Sequence, residues 1–348
     1  MENLDLAAHK AVLSKKSKAC VREFLAHRDM FLSRLRMMLL NGSFHTSAYY
    51  EKRIFEPKER IIYVLPLYPD HIVHHAIINI LGPIWHREFI RDSFACIPGR
   101  GLHTASRRIM SFIRRNRYVL HCDIRKFYPS INHNIMMDIL RRKIKDSRFL
   151  SVLRDIVYSC GDETNIPIGN LTSQWLGNVY LNELDKYIKQ TLHWRDYIRY
   201  CDDFCLFSDD KVALHDVESK IRDFLRDRLR LTFSKCAIYP TSRGIEYIGY
   251  RHFKKYILLR RRTARKIRRR VTNIGLHNDL SELSRGQLAS AYGWSRWANS
   301  YNFRRDLCAS CVSLGVPRHT IDCIRYQLGL IPKTKENKIK YKIPAIQE

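Results

Sequence analysis

The sequence predicts a mixed α/β chain of the α+β kind, with helices packed around an antiparallel sheet. Two strand-like apolar runs carry acids inside them, RYVLHCDIRKFYPSI at 117–131 and DYIRYCDDFCLFS at 196–208. Helical periodicity fills the stretches on either side of these runs. The last eighty residues are helical in pattern, with no second alternation of strand and helix.

Taken in order, residues Leu4 to Leu40 place Val21, Phe24, Leu25, Phe31, Leu32 and Leu35 at helical spacing among basic residues, an amphipathic lead-in. KERIIYVLPL, from Lys58 to Leu67, reads as a strand closed by Pro66. DHIVHHAIINILGPIW resumes helical spacing, and Gly82 with Pro83 is expected to stop it. The run at 117–131 begins as a strand with Asp123 inside it, and Asn134 to Ile144 is helical. In the run at 196–208 two apolar halves flank Asp202 and Asp203, which predicts a hairpin with the acids at its tip. VALHDVESKIRDFLRDRLRL is a helix, and GIEYIGYRHF a further strand pair. Between Lys254 and Arg270, ten of seventeen residues are basic and none is acidic, a candidate nucleic-acid-contacting helix. Gly315 and Pro317 mark a later break, and the tail beyond Pro332 is rich in Lys.

A chain of 348 residues with 45% hydrophobic content can bury a substantial core. Lys and Arg number 62 against 34 Asp and Glu, a formal charge of +28 spread over the whole length. Such charge repels itself in a compact molecule, and contact with phosphates would offset that cost, so a polyanionic partner is expected. The longest uncharged stretch, Thr164 to Asn182, holds Pro167, Gly169, Asn170, Ser173 and Gln174 and does not suit a bilayer span. No membrane association is expected. The N-terminus lacks the pattern of a signal peptide, which predicts a cytoplasmic protein whose ten cysteines stay reduced.

Asp123, Asp202 and Asp203 fall on two β-elements, each preceded by apolar residues that draw it into a sheet. Acids so placed need a cation. Nucleotidyl transfer uses two Mg²⁺ ions roughly 3.5–4 Å apart, and Mg²⁺ takes the carboxylate and phosphate oxygens that such a site supplies. The plain alternative is that Asp-Asp is a common turn dipeptide and Asp123 merely ends a strand. Asp123 together with the Asp-Asp pair is much harder to explain that way.

Tyr200-Cys201-Asp202-Asp203 resembles the Tyr-x-Asp-Asp motif of reverse transcriptases, and HCDIRKFYPSI resembles their first palm motif. IPIGNLTSQWLGNVY from Ile166, FACIPGRGLHTA from Phe94 and GIEYIGY from Gly244 resemble further signatures of that family. The resemblance runs from about Lys58 to Tyr250 and implies a right-hand polymerase. Residues 1–116 would be N-terminal helices and fingers, 117–250 an antiparallel-sheet palm with part of the fingers, and 251–348 a basic helical thumb. It further implies an RNA-directed DNA polymerase with two Mg²⁺ ions, Mn²⁺ as a substitute, held by Asp123, the Ile124 backbone carbonyl, Asp202 and Asp203. Lys58 and Arg60 would reach the triphosphate. Ile168, Gly169 and Gln174 would lie against the incoming nucleotide, Gly169 letting backbone approach closely. Lys235 aligns with a lysine near the leaving pyrophosphate. Tyr128 falls where an aromatic ring excludes the sugar 2′-hydroxyl, and Phe127, on the opposite face if the segment is a strand, is the adjacent alternative. Template RNA, RNA–DNA duplex and deoxynucleotides are the implied partners.

The pattern Ile168-Gly169 with Ser173-Gln174, and HHAI from His74, resemble the diversity-generating retroelement enzymes. In that group an apolar residue replacing glutamine is linked to misincorporation opposite template adenines, and the enzymes work with a structured RNA and a small basic accessory protein. Defence-associated bacterial enzymes that copy a noncoding RNA, or make untemplated or protein-primed DNA, carry similar variants. A non-enzymatic RNA-binding scaffold is the third reading. Separately, Cys308, Cys311, His319 and Cys323 form a Cys-x2-Cys-x7-His-x3-Cys arrangement that invites comparison with a zinc site, although small core residues on helices explain it as well.

Overall fold

The computed structural model describes residues 1–55, 59–332, 334 and 336–337. The chain divides into two compact units, one formed by Met1–Ala105 and Tyr118–Tyr239, the other by Ser106–Arg117 and the chain from Pro240 onward. The α+β class read from the sequence is what the structure has.

The first unit opens with three helices, α1 (Glu2–Val12), α2 (Ala19–Ala26) and α3 (Arg28–Leu40), followed by strands β1 (Tyr50–Ile54) and β2 (Arg60–Val64), which pair antiparallel. Val21, Phe24, Leu32 and Leu35 are buried as their spacing requires, while Leu25 stays exposed. Helix α4 (Ile72–Glu88) runs straight through Gly82 and Pro83, contrary to the expected stop. Proline there removes an N–H and crowds the carbonyl four residues back, but packing on both sides of it holds the helix. Leu81 and Trp85 are buried, and Trp85 and Phe89 each lie 6.1 Å from the Trp175 ring.

Strand β3 (Ser93–Phe94) and helix α5 (Leu102–Arg115) lead to β4 (Tyr118–Ile124), the short helical turn α6 (Phe127–Ser130), and helices α7 (His133–Lys143), α8 (Ser147–Tyr158) and α9 (Leu171–Lys186). Then come β5 (Tyr197–Tyr200), β6 (Asp203–Ser208), α10 (Lys211–Leu229) and β7 (Phe233–Pro240). The five strands from β3 on form one sheet in the order β3-β5-β6-β4-β7. Strand β6 lies antiparallel to both β5 and β4, and β3 runs parallel to β5. One face of this sheet buries Leu120, Cys122, Phe204 and Leu206 in the core shared with α7, α9 and α10.

The second unit contains most of α5 and the three-stranded antiparallel sheet of β8 (Ile245–Tyr247), β9 (Tyr250–His252) and β10 (Ile257–Leu259). Helices α11 (Arg261–Leu276), α12 (Glu282–Trp297), α13 (Tyr301–Ser313) and α14 (Arg318–Gln327) complete it. The basic segment 254–270 is therefore not one helix. Its apolar Ile257–Leu259 joins the sheet, and the helix begins at Arg261, with Ile267, Val271 and Ile274 on its buried side. A hydrogen-bonded line ties this unit together: the Trp297 indole N–H donates to Ser106 Oγ at 2.8 Å, and Ser106 Oγ lies 2.8 Å from His252 Nε2. Among the described residues, no helix is long and apolar enough to cross a membrane.

Candidate functional site

The acids meet where β4 lies against the β5–β6 hairpin. The register pairs Asp123 with Asp203 and Tyr200 with Asp203, leaving Cys201 and Asp202 as the two-residue tip. Cys201 adopts a φ of 59°, the left-handed conformation that tight hairpins demand. The Asp202 carbonyl accepts from the Ile124 N–H at 3.4 Å, which stitches the tip back onto β4. Burial, and after it the negative charges of Asp123 and Asp203, raise the Asp202 carboxyl above its ordinary pKa.

Asp123 and Asp203 each have a holder that the sequence did not announce. The Ser234 hydroxyl of β7 donates to the carboxylate of Asp123, and its oxygen also lies 3.2 Å from the Asp123 backbone carbonyl. His121, two residues before Asp123 on β4, places Nε2 2.7 Å from Asp203 Oδ1. Beneath the hairpin, Arg199 is wholly buried and makes a two-pronged bond to Asp185 of α9, 2.8 Å from Nε and 2.6 Å from Nη2. Its Nη1 donates to Asn178 Oδ1 at 3.0 Å and to the Cys201 carbonyl at 2.9 Å, while the Tyr197 hydroxyl donates to Asp185 at 2.7 Å. Burial works against the Arg199 charge, and the Asp185 carboxylate overrides it and holds the group protonated above its ordinary range. The signal was present in the strand YIRY, where an arginine sits among residues that must be buried and so needs a partner.

Tyr128 and Phe127 lie on the helical turn α6, not on a strand, so alternation does not separate them. Burial does: Phe127 is sealed in the core, whereas Tyr128 is half-buried with its hydroxyl 3.7 Å from Cys201 Sγ. Burial and then the Cys201 thiol raise the Tyr128 hydroxyl well above its ordinary pKa. The ring rests on Gly177 of α9, where an added Cβ would come within 3.2 Å of Tyr128 Cε1 and 3.1 Å of Phe127 Cε1.

The remaining candidates spread around this centre. Gly169 has a φ of +133°, and a Cβ there would lie 2.4 Å from the Tyr63 carbonyl oxygen, so its close approach is to strand β2. The neighbouring Ile168, half-buried, accepts from the Tyr63 N–H at 2.8 Å. Gln174 is exposed on the first turn of α9, and Arg60 is exposed at the start of β2. Lys235 is exposed on β7, one residue after Ser234, near enough for its charge to act on the Cys205 thiol. Lys58 lies outside the described residues. The proposed zinc set does not assemble. His319 Nε2 and Cys323 Sγ are 3.7 Å apart, but among the described residues the group of three or more His, Cys and acidic side chains that closes to within 4.8 Å is His121, Asp203 and Cys205.

Residues 56–252 match the family model described as reverse transcriptase (RNA-dependent DNA polymerase). Among curated proteins, the chain is similar to Protein YkfC of Escherichia coli (strain K12), 26% identical over 271 residues, which are 64% of this chain and 71% of that protein. It is also similar to the group II intron-encoded protein LtrA of Lactococcus lactis subsp. cremoris, 27% identical over 134 residues, 36% of this chain and 22% of LtrA's length. Among solved structures, telomerase from Candida albicans with a fragment of telomeric RNA superposes with a TM-score of 0.49 at 11% identity, over 88% of this chain and 67% of that chain.

Proposed function

The chain belongs to the reverse transcriptase family of RNA-directed DNA polymerases, and we propose that it copies an RNA template into DNA at the tip of the β5–β6 hairpin. Asp123 and Asp202 are the principal cation ligands, with Asp203 and the Ile124 carbonyl completing the set. The observation that carries this reading is the register of β4 on β6, which pairs Asp123 with Asp203 beside the Asp202 tip. Asp202, raised by burial and by its two acidic neighbours, sits where a divalent cation would relieve the repulsion. All of these donors are hard oxygens, which suits Mg²⁺, with Mn²⁺ as a substitute. Two bound ions would activate the primer 3′-hydroxyl and stabilise charge on the triphosphate and the leaving pyrophosphate.

The chain's own side chains then do the sorting. Tyr128 stands against the sugar and excludes the 2′-hydroxyl, so deoxynucleotides are used. Lys58 and Arg60 take the triphosphate, Ile168, Gly169 and Gln174 border the nucleotide, and Lys235 is placed to protonate pyrophosphate. In functional terms, 1–116 serve as fingers, 117–250 as palm and 251–348 as thumb, whose basic helix α11 tracks the backbone of the RNA–DNA duplex. Ile168, in place of a polar residue, favours a diversity-generating type of enzyme that copies a dedicated structured RNA with errors at adenines, aided by a small basic accessory protein. A defence-associated role with a noncoding RNA is the second reading of the same motif.

The test is primer extension on an RNA template with Mg²⁺ and either deoxy- or ribonucleotides, for the wild type and Asp202→Asn. DNA product made by the wild type and lost in the variant is expected; extension by Asp202→Asn at the wild-type rate would overturn the assignment. Sequencing the product of Ile168→Gln tests the finer reading, which expects fewer errors opposite adenine and fails if the error frequency is unchanged.

A further inference from the structure

Three strands of the sheet each contribute one member of a hydrogen-bonded line behind the acids. The Tyr239 hydroxyl of β7 lies 3.0 Å from His121 Nδ1 on β4, and His121 Nε2 lies 2.7 Å from Asp203 Oδ1 on β6. His121 is only 5% exposed. With Nε2 against a carboxylate oxygen and Nδ1 against a phenol, the tautomer that fits both contacts carries its hydrogen on Nε2 and accepts from the phenol at Nδ1. The line has one direction, from Tyr239 through His121 to Asp203.

The register explains why His121 reaches Asp203 at all. Asp123 faces Asp203 directly and His121 faces Cys205, so His121 and Asp203 are diagonal neighbours on one face of the β4–β6 pair. His121 thereby takes one lone-pair site of Asp203 Oδ1 and restrains its rotamer, leaving Oδ2 the less encumbered oxygen for a cation. Asp123 is held in its turn by the Ser234 hydroxyl of β7, so that donors on two different strands restrain two of the three acids.

We propose that His121 is a positioning residue for divalent-cation binding. It holds Asp203 so that the less encumbered carboxylate oxygen faces the site, and Tyr239 holds the imidazole in the tautomer that can do so. The proposal rests on the polymerase reading. Hydrogen-bonded partners of metal ligands orient them, and losing one typically costs about 10- to 100-fold in metal affinity.

The experiment uses the full chain and Mn²⁺ alone as probe, counting free Mn²⁺ by electron paramagnetic resonance, beside thermal melting and the Mg²⁺ dependence of primer extension. In His121→Ala the Mn²⁺ dissociation constant should rise about tenfold or more, and half-saturating Mg²⁺ should rise by a similar factor. His121→Gln, whose side-chain N–H can replace Nε2–H, should stay within about threefold of wild type, and Tyr239→Phe should fall between the two. A merely structural histidine would lower the melting midpoint and leave Mn²⁺ affinity alone. Wild-type Mn²⁺ affinity in both His121→Ala and Tyr239→Phe, or in Tyr239→Phe alone should His121→Ala not fold, overturns the proposal. The polymerase reading fails separately: a wild type that binds Mn²⁺, with the affinity shifts in place, yet extends no primer on any template sinks that reading and leaves the holder's role on Asp203 standing.

Discussion

Arg199 donates a hydrogen bond of 2.9 Å to the backbone carbonyl of Cys201 from a side chain with no exposed surface. The tip that carries Asp202 is thus supported from inside the protein by a charge paired with Asp185 of α9. Removing one partner of a buried ion pair strands the other, at about 3–5 kcal/mol, while replacing both with apolar groups of similar volume is often near neutral. Arg199→Ala should therefore lower stability by about that amount in urea denaturation. Arg199→Met combined with Asp185→Leu should recover most of the stability yet not the extension activity, because the Cys201 carbonyl has still lost its donor. A double variant with full activity would show that the support is dispensable.

Tyr128 offers a clean separation of ring from hydroxyl. Tyr128→Phe keeps the ring that rests on Gly177 and loses only the contact with Cys201, so discrimination against ribonucleotides should hold. Tyr128→Ala should weaken it by about 10- to 100-fold in the ratio of kcat/KM for deoxy- and ribonucleotides. Equal ratios in wild type and Tyr128→Ala would remove this residue as the sugar gate.

Gly169→Ala tests a backbone approach. The residue sits at φ +133°, and a methyl group would collide with the Tyr63 carbonyl, so the cost should be on the order of 1–3 kcal/mol. The damage should be local: hydrogen exchange at the Tyr63 amide, which donates to the Ile168 carbonyl, should accelerate while amides of β4 and β6 keep their protection.

His252 makes the second unit sensitive to acid. Its burial lowers the imidazole pKa from 6.5 to about 4, so on acidification the unfolded chain takes up a proton before the folded one does. Stability is then lost as pH falls from about 6.5 towards 4, by at most about 1.4 kcal/mol per pH unit, and is unaffected by this group above that window. His252→Gln should flatten the dependence of the unfolding midpoint over that interval, and an unchanged slope would assign the sensitivity to other groups.

The part of the fold legible in the sequence came from local pattern. Asp123 inside a strand and Asp202 with Asp203 at a hairpin tip need only periodicity and the turn signal, and both elements stand where the pattern put them. Helix α4 crossing Pro83 depends on Trp175, ninety-two residues away in the chain, and no window around Pro83 contains that partner. His121 and Ser234 were invisible for the same reason: each is ordinary in its own segment and acquires meaning from a contact across the sheet, while YIRY shows that Arg199 needs a partner but not that the partner is Asp185 on α9. The extra strand β10 took Ile257–Leu259 out of a run whose charge density suggested only helix.

The first unit is interrupted in the chain by Ser106–Arg117, which belongs with the residues from Pro240 onward. Ile109, Phe112 and Ile113 in that interruption are fully buried. A protease product or truncated translation ending near Tyr239 would hold every strand of the five-stranded sheet and all three aspartates, yet its apolar segment would lack the later part of the unit to which it belongs. Such a fragment should be sticky rather than active on its own, so nascent chains gain a well-behaved polymerase centre only once the later residues have been made.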